Sequence, residues 1–127
     1  MKSRAEFIAK LNARTIREEG TDVRLAGGAV LRAVIVHGDH ELIRELQAEQ
    51  DSPEKRPVVF VFAGDAWGAV TEGMSLTVGG DVALPEDARG RSATAAMARK
   101  FIVAAPLHPK WQNDVVTELA VACYPDN

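Results

Sequence analysis

With 127 residues, a net charge of -3, and 46% hydrophobic against 26% charged residues, the chain has the make-up of one folded domain spanning 1–127. Those values exclude a disordered chain. The negative balance also argues against a general nucleic-acid binder, whose phosphate contacts need a basic footprint.

Ser3 to Glu19 reads as the first helix. Ser3 and Glu6 have the S-x-x-E spacing in which each side chain meets the other residue's free backbone N–H, and Gly20 is placed to end the run. Phe7, Ile8, Leu11 and Thr15 recur at helical spacing and define the face expected to be buried. Its basic residues, Lys10, Arg14 and Arg17 among them, read as a solvated surface, and nucleic-acid binding through this helix is the least supported use of the chain.

From Val23 the pattern changes to short apolar runs broken by glycine. "VRLAGGAVLRAVIVHGD" predicts a turn at Gly27 and Gly28 and a strand from Ala29 to Val36, with Arg32 requiring that one face reach solvent. Asp39 reads as the N-cap of a second helix, with Leu42, Ile43 and Leu46 as its buried stripe and Glu41, Glu45 and Glu49 on the wet side. That helix is expected to stop near Asp51, before the polar linker "DSPEKRP".

Val58 to Ala63, valine and phenylalanine bounded by Pro57 and Gly64, is the strongest strand, and Trp67 and Val70 are read as continuing it past a bulge at Gly64 or Gly68. "MSLTV" then gives a short strand or loop before a Gly79-Gly80 turn. Ser92 to Ala105 mixes helix-favouring alanines with the strand-like "FIV" and is read as a long strand. "PLHPKWQND" reads as a turn carrying two prolines, and Val115 to Tyr124 alternates as a final strand.

Together these elements predict an α+β fold: a mixed or mostly antiparallel sheet of about four to five strands with two helices packed on one face. A crossover through the second helix would make the first two predicted strands parallel.

The tract "VFVFAGDAWGAV", followed by "PEDARGRSA", resembles a pattern in small uncharacterised bacterial and phage proteins of unknown function. In those, a strand ending in a glutamate-alanine-tryptophan step precedes a proline-acid-arginine turn and a second strand. The resemblance covers Val58 to Ala95 and departs from the pattern at Asp65 and Ser92, where the family prefers glutamate. It implies topology alone, namely that the two strands are antiparallel neighbours.

"HGDH" is the sharpest chemical string. His37, Asp39 and His40, joined by His108 or Asp65, have the donor types that bind zinc or another divalent ion, although Gly38 as a turn, Asp39 as a cap and two solvated histidines explain the same residues. Asp65 beside Trp67 is a carboxylate that an apolar enclosure would suit for acid–base work with His37 or His108; otherwise it accepts backbone hydrogen bonds in a turn. Arg89 and Arg91 have the chemistry of an anion clamp, or of local ion pairs to Glu86 and Asp87. Trp67, Trp111 and Tyr124 serve either an interface or the core.

A single cysteine, Cys123, closes no intramolecular disulfide and is expected to be packed inside a protein of the reducing cytoplasm. The N-terminal "MKSRAEFIAKL" lacks the apolar region of a signal peptide, and no run reaches the roughly 18 apolar residues of a membrane helix. The residues therefore predict a cytoplasmic protein-interaction domain without catalysis or cofactor, forming a homodimer or meeting another protein. The alternative is a small-ligand or divalent-metal-binding protein or enzyme using His37, Asp39, His40, Asp65 and His108.

Overall fold

The computed structural model describes residues 4–36, 44, 57–79, 98–104 and 106–125. In chain order these form α1 (Arg4–Glu19), β1 (Thr21–Leu25), β2 (Val30–Ile35), β3 (Val58–Ala63), a 3-10 turn (Gly64–Ala66), β4 (Ser75–Val78), β5 (Arg99–Val103), β6 (His108–Gln112) and β7 (Val115–Pro125).

The strands pair in the order β3-β2-β1-β4-β5-β7-β6, and β3 also pairs with β7. That last pairing, Val58 opposite Cys123 through Ala63 opposite Glu118, closes six strands into an antiparallel barrel and leaves β6 as an additional strand on β7. The expected α+β sheet of four to five strands beneath two helices is thus corrected to a mostly β fold, with α1 as the helix bounded among the described residues. The physical reason is that a sheet closed on itself buries its apolar face against its own far side, so the core needs no helical layer. The predicted second helix, from Asp39, lies outside the described residues apart from Arg44.

Alternation along the strands fills the barrel. Val58, Phe60 and Phe62 of β3 and Leu119, Val121 and Cys123 of β7 point inward and join Val23, Ala33, Leu76 and Phe101 in one buried cluster. Val59, on the other face of β3, is also buried, against Ala120 with Val36 and Val61. Burial on both faces is why "VVFVF" reads as a continuous apolar run rather than an alternating one. Inside the barrel the Phe60 and Phe101 rings meet edge to face, 5.5 Å apart at 71°.

β2 and β3 pair antiparallel, Ala33 opposite Phe62, so the parallel crossover is excluded. β5 pairs with β4 and β7, and the second strand implied by the bacterial and phage pattern, following "PEDARGRSA" up to Ala95, lies outside the described residues.

Within "PLHPKWQND" the turn is confined to its last two residues. His108–Gln112 is a strand, joined to β7 by Asn113 and Asp114, whose φ angles of 49° and 67° are those of a two-residue hairpin turn that asparagine and aspartate tolerate. Pro109 is accommodated because β6 lies at the margin of the sheet, where a missing N–H breaks no second ladder. Trp67 and Val70 do not extend β3 either; the chain turns at Gly64–Ala66, and the two residues form an isolated bridge.

α1 packs against β2, β3, β7 and the 3-10 turn. Its buried residues are Ala5 and Ile16, while Phe7 and Leu11, expected inside, are exposed. Ala5 and Ile16, with the half-buried Ile8, Ala9, Asn12 and Ala13, form the inward side, so the face toward the barrel is turned away from Phe7 and Leu11. Two hydrogen bonds tether the helix: Asn12 Nδ2 donates to the Thr117 carbonyl at 3.2 Å, and Arg32 Nε on β2 donates to the Arg17 carbonyl at 3.2 Å. Arg32 also donates to the Gly20 carbonyl and pairs with Asp22 at 3.0 Å, so one guanidinium satisfies carbonyls at the end of α1.

Candidate functional site

Three elements converge on the Val116–Thr117 step at the start of β7. Asn12 of α1 is anchored to the Thr117 carbonyl. Gly64 lies so close to the Val116 carbonyl that an added Cβ would collide with it, which explains glycine at the point where β3 ends. Trp111 of β6 stands opposite Val116 across the hairpin.

This convergence brings large apolar side chains to the surface. Trp67, just past the turn, and Trp111 meet edge to face with centroids 5.8 Å apart at 78°. They remain 43% and 56% exposed, and Phe7 and Leu11, on the same stretch of α1 as Asn12, are 59% and 47% exposed. Each of these four large apolar side chains is thus at least two-fifths exposed to water. Lys110 Nζ and Glu118 Oε1 pair at 2.7 Å across the same hairpin, placing charge next to the rings.

A second feature is a cleft of about 400 Å³ bounded by Ala13, Ile16 and Arg17 of α1, by Val30, Leu31 and Arg32 of β2, and by Phe62, Ala63, Asp65 and Ala66 where β3 gives way to the turn. Ile16, Phe62 and Ala66 are buried, giving the cleft an apolar floor.

The residues expected to act together are distributed as follows. Asp65 is exposed in the 3-10 turn and lines the cleft, so the apolar enclosure required by the acid–base reading is not around it. His108 opens β6, the strand added outside the barrel, opposite Ala120; it is half-buried and does not line the cleft. His37, Asp39, His40, Arg89 and Arg91 lie outside the described residues, as do Glu86 and Asp87. Among the described residues, no group of three or more His, Cys, Asp and Glu is placed to hold a metal ion. Cys123 is fully buried in the barrel, and desolvation pushes its thiol pKa well up, away from the reactive thiolate.

Sequence reasoning named both tryptophans but not their contact, because they are 44 positions apart and are joined only by the barrel's closure. It missed Arg17, Ile16, Leu31 and Phe62 as lining residues of one cleft. No local signal marks them, since each belongs to the ordinary pattern of its own helix or strand. No family model, curated protein or solved structure matches the chain. Among the described residues, no helix is long and apolar enough to cross a membrane.

Proposed function

We propose that this chain is a small non-catalytic interaction domain that pairs with a second copy of itself through the surface around Trp67 and Trp111. The observation that carries the reading is the exposed edge-to-face tryptophan pair, and Phe7 and Leu11 of α1 are exposed as well. Tryptophan is enriched in protein interfaces and prominent among the residues that dominate their energy, because a rigid ring buries much area at little entropic cost. The Lys110–Glu118 pair beside the rings supplies the polar margin typical of such contacts. A two-fold pairing needs one self-complementary patch, which makes a second copy the simplest occupant. One buried cysteine suits a reducing compartment such as the cytoplasm.

Sedimentation equilibrium across the micromolar range tests the reading. The expected result is a concentration-dependent shift from monomer to dimer that weakens at least about tenfold in Trp67→Ser and in Trp111→Ser, equal to roughly 1.4 kcal/mol of association energy each. A monomer at every concentration removes the dimer, and association unchanged in both variants removes this surface as its basis.

A further inference from the structure

The cleft between α1 and the barrel has two charged groups of opposite sign with no partner among the described residues. Arg17, in the last turn of α1, and Asp65, in the turn after β3, both line it, yet neither side chain makes a hydrogen bond or ion pair among the described residues. Arg32, the other cation there, is committed to the Arg17 and Gly20 carbonyls and to Asp22. The lining therefore includes a cation and an anion that are uncommitted among the described residues, together with the apolar Ile16 and the half-buried Leu31. The volume of about 400 Å³ is at the small end of ligand pockets, which run from about 300 to 1,000 Å³, and suits a small molecule better than a peptide segment.

We infer that this cleft binds a small zwitterion with an apolar body, in the chemical class of a free aliphatic α-amino acid. The guanidinium of Arg17 receives the carboxylate, for which its planar fork is suited. Asp65 receives the ammonium, and the aliphatic side chain covers the apolar floor. A simple anion would meet the repulsion of Asp65 and a simple cation that of Arg17; a molecule carrying both charges satisfies each. The inference does not depend on the tryptophan surface, since the cleft is lined by neither ring.

An NMR titration of the full chain with L-leucine, N-acetyl-L-leucine and L-leucinamide tests it, because the second probe lacks the ammonium and the third lacks the carboxylate. The expected result is saturable shifts at Ile16, Leu31 and Phe62 with L-leucine, and affinity about tenfold weaker for each singly charged analogue, or roughly 1.4 kcal/mol. Arg17→Gln removes the preference for L-leucine over L-leucinamide and leaves that over N-acetyl-L-leucine; Asp65→Asn does the reverse. Absence of shifts at those residues in the millimolar range, or equal titration by all three probes, overturns the inference in the native chain, whatever the variants do.

Discussion

Two pairs of aromatic rings in this molecule have nearly the same geometry and opposite surroundings. Phe60 and Phe101 meet at 5.5 Å and 71° in the barrel interior, where both are fully buried; Trp67 and Trp111 meet at 5.8 Å and 78° with about half of each ring in water. The edge-to-face contact itself is worth only about 0.5–1.5 kcal/mol in either place. What separates the pairs is the area already removed from water. The phenylalanines have contributed theirs to folding, whereas about half of each tryptophan is still in contact with water.

The largest expected effect lies on the interior pair. Phe101→Ala opens a cavity between β3 and β5 and lowers unfolding free energy by about 3–5 kcal/mol, measured by urea titration. A loss below about 1 kcal/mol would erase the difference between the pairs. Gly64→Ala comes next, at about 1–3 kcal/mol, because the added methyl meets the Val116 backbone carbonyl rather than a side chain able to move aside. Since Trp67 follows Gly64 by three residues, this variant also tests whether the tryptophan contact depends on that close approach, read from indole fluorescence.

A third effect comes from Cys123, whose thiol is held protonated by burial. The folded state keeps its proton above pH 9, whereas the unfolded thiol loses it there, so stability is intact below pH 9 and falls above it by up to about 1.4 kcal/mol per pH unit. Cys123→Ala flattens that part of the pH–stability curve, measured by thermal unfolding from pH 8 to 10. The smallest expected effect is on the exposed pair: Trp67→Ser changes the unfolding free energy of the monomer by about 1 kcal/mol or less, read in dilute solution so that association does not contribute.

The interior pair was more legible in the sequence than the exposed one. β3 is evident from "VVFVFA" because burial on both faces leaves a run with no polar interruption, and β7 from its alternation between Val115 and Tyr124. Closure was not legible, because the pairing of Val58 with Cys123 spans about half the chain and no local pattern encodes it. β6 was hidden by Pro109, a residue that argues against strands generally but not against one at a sheet margin. The inward face of α1 was misread because hydrophobicity selects Phe7 and Leu11, while close packing on the barrel selects Ala5 and Ile16. Of the candidate site, Asp65 and Trp67 were singled out by residue type, but their separation into a cleft and a surface patch follows from the turn at Gly64–Ala66.

In the proposed dimer the exposed tryptophans, unlike the buried phenylalanines, meet a second copy. The most direct measurement is a dilution series followed by NMR, in which the chain's two indole N–H signals report Trp67 and Trp111 separately from the barrel interior. Both indole signals are expected to shift as concentration falls while the amides of Phe60, Phe101 and Val121 stay fixed. Indole signals that do not move with concentration, or that move no more than the interior amides, would contradict it.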